Sequence, residues 1–365
     1  MFWAMRFAPP VFVLDRQMLW LAGLMGLMAV GSVAFVDTSA DEEDDIAPVQ
    51  GHPDDMLNPD VEASPQIEFG DPSDISTDEY ETTREQISGS ATDDTLTGND
   101  DDQNIAGDAG DDLLFGNGGA DHLHGDDGDD SLLGGSDDDY LDGDDGADTL
   151  WGGDANDTLF GHSGSDDLYG GAGDDYLHGS DGADTLSGGT GDDVLQGGLE
   201  DDVLTGGAGA DSLFGGWGDD LINGVEAGSN DAENTDTDDG DFLNGGSGDD
   251  VLIAGKNDIV TAGNGEDTIV LGDWINQGDA AEILDFAQED DSLVLVWDDS
   301  DSAAPQPNVS IGTDPAVPGQ MQVMLNDVVV AQVNGTALNI DDIALLPLST
   351  AAASGLLLGH GETPH

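Results

Sequence analysis

Cysteine is absent from this chain of 365 residues, and basic side chains nearly so: 4 Lys plus Arg stand against 81 Asp plus Glu. The first absence excludes disulfides, thiolate zinc centres and cysteine nucleophiles. The second excludes a nucleic-acid partner, because phosphate binding needs a Lys/Arg surface. Aromatic residues are scarce, at 5%. The formal net charge of −77 opposes compaction unless something cationic binds, either a basic protein or a metal ion. Something other than a disulfide must stabilise any fold with a small core.

The one long hydrophobic run lies at the start. Residues 18–36 are uncharged and mostly apolar, Arg6 and Arg16 precede them, and an acidic stretch follows. Two readings of residues 1–36 stand. A run of this length spans a bilayer as a single anchor, with the acidic remainder translocated. Alternatively it is a cleaved signal peptide, with Ser32-Val33-Ala34 offering small residues at the cleavage spacing. Residues 37–88 are acidic, with prolines at 48, 53, 59, 65 and 72, and read as a disordered linker.

From Gly89 the chain becomes periodic. A nine-residue unit runs without slippage to Asn223, fifteen copies in all. Gly188-Gly189-Thr190-Gly191-Asp192-Asp193-Val194-Leu195-Gln196 is typical. The first position is Gly in all fifteen, the sixth is Asp in fourteen (Gln103 departs), and the eighth is Leu or Ile in all fifteen. The fourth is Gly in ten, with Thr92, Asp101, Asp137, Ala155 and Glu200 departing. An acidic insertion at 225–239 breaks the pattern, which returns at 241–270 with one shortened unit at 254–261.

Positions one to six, rich in Gly and Asp, read as a turn that tolerates positive φ. Positions seven to nine read as a three-residue strand with its central aliphatic pointing inward. Repetition of strand and turn builds a solenoid of two parallel sheets, two units per coil. The fold class is therefore all-β, a parallel β-roll. One buried aliphatic per nine ordered residues is too little apolar burial to offset the ordering of the backbone.

The sixth-position aspartates supply the missing stabilisation. Stacking of coils places each near the one eighteen residues on, Asp175 by Asp193 on one edge and Asp184 by Asp202 on the other. Two bare carboxylate ladders repel, and a hard divalent cation neutralises them. Calcium fits, since it accepts 6–8 carboxylate and carbonyl oxygens in flexible geometry, whereas magnesium keeps its waters in a stricter octahedron. Zinc wants His or Cys. The candidate metal ligands are Asp94, Asp112, Asp121, Asp130, Asp139, Asp148, Asp157, Asp166, Asp175, Asp184, Asp193, Asp202, Asp211, Asp220, Asp241, Asp250, Asp258 and Asp267. Gln103 offers no carboxylate, so sites sharing its turn should be weak. Ala155 and Glu200 should strain theirs. The insertion should interrupt the ladder, leaving the strongest sites within 107–224.

These units resemble the G-G-x-G-x-D-x-U-x nonapeptides of the repeats-in-toxin (RTX), or haemolysin-type calcium-binding, family. The resemblance covers residues 89–270, about half the chain. Residues 283–286 and 291–295 also resemble the segment that follows the roll in that family. What this implies is a β-roll with several calcium ions in its turns, disordered in low calcium and folded after export. Family members leave by an uncleaved C-terminal signal, and the hydrophobic N-terminus here departs from that pattern. The location implied is extracellular, with a periplasmic or membrane-anchored chain as the alternatives. Residues 18–36, if retained, are the only membrane contact.

Catalytic motifs do not hold up. There is no H-E-x-x-H, and Gly161-His162-Ser163-Gly164-Ser165 lacks the final glycine of a nucleophile elbow and lies within a repeat turn. His122, His124 and His178 occupy outward strand positions and read as solvated. The chain thus reads as a non-enzymatic, calcium-folded exported protein whose partners, beyond calcium, are cell-surface or matrix components. The rival readings are a secretion module of an extracellular enzyme and a membrane-tethered calcium store or sensor. Residues 271–348 read as a small β cap, with strands at 292–297, 308–311, 320–325, 328–333 and 340–346 and a tight turn at Asn326-Asp327. Residues 349–365 read as a loose tail.

Overall fold

The computed structural model describes residues 84–225, 240–275, 278–300, 305–314, 317–334 and 338–354. The chain divides into two units, residues 1–70 and 71–365, and all described residues belong to the second. The hydrophobic run at 18–36, the linker to residue 83, most of the insertion and the end of the tail lie outside the described residues; the last residues of the expected disordered linker are instead ordered, since strand Glu85–Ser90 pairs with Gln103–Asp108 at the end of the first sheet. Among those described, no helix is long and apolar enough to cross a membrane.

The repeat folds as a parallel β-roll. One sheet of 14 strands takes alternate units and a second of 12 strands takes the others. Pairing follows the eighteen-residue coil: Leu177 pairs with Leu159 and Leu195 in the first sheet, Leu168 with Leu150 and Leu186 in the second. Every eighth-position aliphatic from Ile105 to Ile222 is 0% exposed, as are Leu243, Leu252, Val260 and Ile269. The inward phase expected from the alternation is the observed core.

The strands are longer than that alternation implies. Each typical strand holds six residues, as in Tyr176–Asp181, so it runs on through positions one to three of the next unit. Ser180 and Asp181 stay paired with Gly198 and Leu199 of the next coil. Glycine and small polar residues carry no alternation signal there, so the sequence shows only the half of the strand that bears the aliphatic.

The glycine rule also has a different cause at its most regular position. A β-carbon on Gly170 would lie 2.4 Å from Oδ2 of Asp175 and 2.7 Å from the carbonyl oxygen of Gly188. The first glycine is thus required by close approach of two oxygens. Positive φ belongs to positions two and four. Position two adopts it even as His162 (φ 74°) or Ser180 (φ 91°), and position four as Ala155 (φ 87°) or Glu200 (φ 76°). The strain expected at Ala155 and Glu200 is present.

The C-terminal segment adds strands to the ends of both sheets. Ala281–Ile283, Val328–Asn334, Gln320–Leu325 and Val309–Thr313 extend the first, and Ser292–Trp297 and Ile343–Pro347 extend the second. Asn326 (φ 52°) and Asp327 (φ 64°) form the expected two-residue hairpin turn, with both residues left-handed. Two expectations are corrected. The last strand starts only at Ile343, because Ile340–Asp342 make a 3₁₀ turn capped by Asn339. The start of the expected tail is a short helix, Leu348–Ser354. Its alanines favour a helix, but a stretch this short shows no period.

Candidate metal centre

Position six is the corner where each turn re-enters a strand. There the Asp175 N–H donates to Oδ1 of Asp193 at 2.8 Å, and Oδ1 of Asp175 accepts from the Asp157 N–H at 2.7 Å. The Asp175 carbonyl accepts from the Val194 N–H at 2.9 Å. Each aspartate is thus gripped by the coils on both sides. On the opposite edge Asp184 N–H donates to Oδ1 of Asp202 at 2.8 Å. The two edges hold the pairs expected from the coil length.

This accounts for one oxygen of each carboxylate. In fifteen of them, from Asp112 to Asp220 and at Asp250 and Asp267, Oδ2 is buried without a hydrogen-bond partner. In twelve of them Oδ2 and a carbonyl oxygen of the next coil both crowd the first glycine of the unit, as Oδ2 of Asp175 and the Gly188 carbonyl do at Gly170. A buried acceptor facing another acceptor is unfavourable by itself. Burial, reinforced by neighbouring carboxylates, pushes the carboxyls of Asp157 and Asp202 up to about 8 and those of Asp139, Asp148, Asp193 and Asp250 up to about 7. Burial likewise raises Asp130, Asp166, Asp175, Asp184, Asp211 and Asp220 to about 6. The donor set is all oxygen, one charged and one carbonyl, and it fits a hard cation.

Three sixth positions differ from the rest. Asp94, at the start of the ladder, is only half-buried, and its Oδ2 accepts from the Ser90 hydroxyl at 2.8 Å. Asp258, in the shortened unit, accepts the Asp241 N–H on Oδ1 and the Gly255 N–H at 2.6 Å on Oδ2. Gln103 closes on its own turn, its Oε1 accepting the Asn99 N–H at 2.9 Å and its amide donating to the Asp101 carbonyl.

The insertion does not interrupt the ladder. Asp211 N–H donates to Oδ1 of Asp241, and Asp220 N–H to Oδ1 of Asp250, both at 2.8 Å. Thirty residues replace the usual eighteen, and the register is unshifted. Strand Ser212–Trp217 pairs directly with Phe242–Ser247, and Leu221–Asn223 with Val251–Ile253. The physical reason is that the pairing is set by the strands on either side, which keep their own phase.

Two further features accompany the ladder. Position five forms a second, exposed ladder in the opposite sense. Asp192 N–H donates to Oδ1 of Asp174, and Asp174 N–H to Oδ1 of Asn156, at 3.0 and 2.9 Å. The recurrence of Asp or Asn at position five was the available signal. The other feature is Asp291, buried beyond the repeat, which accepts the Asp267 N–H at 3.4 Å and the Ala287 N–H at 2.6 Å. Protein donors hold both its oxygens, so it closes the ladder.

The RTX calcium-binding nonapeptide repeat (4 copies) matches this chain in overlapping stretches over residues 82–224 and 235–273. No curated protein sequence matches. Among solved structures, the crystal structure of extracellular lipase LipA from Serratia marcescens is similar at 15% identity, with a TM-score of 0.21. That likeness covers 58% of this chain and 40% of the lipase chain, well under two thirds of its length.

Proposed function

Residues 82–273 belong to the RTX calcium-binding nonapeptide repeat family, and from that premise we propose that the chain is an exported, non-enzymatic protein whose roll folds on binding several calcium ions. The observation that carries this reading is the row of fifteen buried Oδ2 atoms without a donor, twelve of which share the space at a first glycine with a backbone carbonyl of the next coil. The proposed ligands are the eighteen position-six aspartates named above, with Asp94 and Asp258 the weakest. Their carboxylates supply the charge and the turn carbonyls complete the oxygen shell. Calcium bound to the folded state alone offsets both the ordering of the backbone and the repulsion of the ladders.

Export follows from the same energetics. A roll that needs abundant calcium stays unfolded where calcium is scarce and folds where it is plentiful. A role at a cell surface or in a matrix fits a long acidic face without a catalytic constellation. The test is far-UV circular dichroism of the full chain during a calcium titration, with magnesium as control. A cooperative rise of β signal with calcium alone is expected. A chain already folded in chelator, or still unfolded at millimolar calcium, overturns the reading.

A further inference from the structure

The outer face of the first sheet carries a cluster that the calcium ladders do not use. Outward residues eighteen apart sit side by side, so His124 faces Asp142 and Asp126 faces Asp144 across one strand pair. The next strand sets His162 opposite Asp144. The ligand atoms of His124, Asp142 and Asp144 all lie within 4.8 Å of one another.

Asp142 is the centre of this group. It is 8% exposed although it points outward. Its Oδ2 is 3.7 Å from Nδ1 of His124, and its Oδ1 is 3.0 Å from Nε2 of His162. Close as the second contact is, the buried Oδ1 accepts no directed hydrogen bond. The Tyr140 hydroxyl donates to Oδ2 at 3.4 Å. Rings wall the group: Tyr140 packs against His124 and Phe160, and Phe160 lies nearly parallel to His162, at 5.6–6.0 Å between centroids. A carboxylate is thus buried between two imidazoles, with a second carboxylate in reach.

The geometry points to a transition-metal site, suited to zinc, held by His124, Asp142 and Asp144 and completed by His162. Zinc binds imidazole nitrogen and carboxylate oxygen at about 2.0–2.2 Å, which puts tetrahedral ligand atoms roughly 3.3 Å apart. Asp142 lies at about this separation from each imidazole, through Oδ1 to His162 at 3.0 Å and through Oδ2 to His124 at 3.7 Å. Nitrogen donors distinguish this site from the all-oxygen corners, because imidazole favours zinc and its neighbours over calcium. His124, expected to be a solvated residue, becomes a ligand. The assignment does not rest on the calcium reading.

The experiment is calorimetric titration of zinc chloride into the full chain in millimolar calcium, which saturates the oxygen sites. A parallel titration with cobalt(II) reads the visible spectrum of the bound ion. One zinc per chain is expected, with tetrahedral cobalt bands, and at least a tenfold loss of affinity in His124→Gln and Asp142→Asn. His178→Gln, on the same face outside the cluster, should bind as the unaltered chain does. Circular dichroism of each variant in calcium reports folding. Should Asp142→Asn fail to fold, His124→Gln and His162→Gln decide, since neither side chain is buried. Absence of zinc binding, or equal binding by the His124 and His162 variants, overturns the site and assigns any zinc to the other histidines or to the acidic surface.

Discussion

The roll and the segment that follows it share two sheets yet are held together differently. Along the repeat, one aliphatic per nine residues is buried, and fifteen buried carboxylate oxygens lack a donor. Beyond residue 270 the interior thickens. Leu293, Leu295, Val296, Val323, Val330 and Val333 are all at most 1% exposed, Phe286 is 2% exposed, and the Trp274 indole is buried and donates to the Ala254 carbonyl at 3.0 Å. Two carboxylates there are satisfied within the chain: Asp291 by two backbone N–H groups, and Asp285 by those of Ala262 and Gly263 at 2.8 and 3.1 Å. One region leaves buried carboxylate oxygens without a donor, and the other fills its interior with apolar side chains. The difference teaches that one sheet can pass from a polar-edged, thin core to a thick apolar one without a break in its pairing.

The sharpest break of this comparison is chelation. Removing calcium should strip hydrogen-exchange protection from the strands of 103–223 and leave it on Ser292–Trp297, Gln320–Leu325 and Val328–Asn334. Equal loss in both regions would show that the C-terminal strands depend on the roll.

Acid should partly replace the ion. Twelve of the ladder carboxyls sit above their ordinary 3.8, at about 6 to about 8, so the folded state holds protons more tightly than the unfolded one. That stabilisation is full below about pH 4 and is lost as pH rises through 6 to 8. A calcium-free chain at pH 5 should therefore show more β signal than at pH 8, while calcium affinity should fall over the same descent. Circular dichroism against pH in chelator checks both the sign and the window, and a flat profile would remove the desolvated ladder.

Single residues sharpen the contrast further. Asp175→Asn should weaken calcium-driven folding about tenfold, roughly 1.4 kcal/mol, with Asp258→Asn much milder because Gly255 already occupies its second oxygen. Calcium midpoints of the two variants decide. Ala155→Gly should stabilise the calcium-loaded roll by about 1 kcal/mol, by relieving a left-handed alanine (φ 87°), read as a shift of the thermal midpoint. The smallest effect expected is at Gln103→Asp. It restores a missing carboxylate at one corner and should add a little affinity by calorimetry.

Much of this was legible in the residues. Period nine fixed the phase of Leu177 and Leu195, and doubling it placed Asp175 by Asp193. The signal failed where side chains were small or pairing was distant. Positions one to three hold glycine, serine and aspartate, so the second half of each strand left no alternation. Nothing local reveals that Asp211 meets Asp241 over thirty residues, because the twelve added residues carry no pattern of their own. The histidines were weighed singly, although the same eighteen-residue rule that aligned the aspartates also sets His124 beside Asp142 and Asp144 beside His162.

The fixed stagger of eighteen residues has a wider consequence. It makes each outer face a raster, in which position within the unit gives the column and the count of units gives the row. Any two outward residues can be assigned neighbours by subtraction alone. A pattern of ligands, rings or charges can then be written onto that face from the sequence, and the rows stay aligned even where thirty residues separate two of them instead of eighteen.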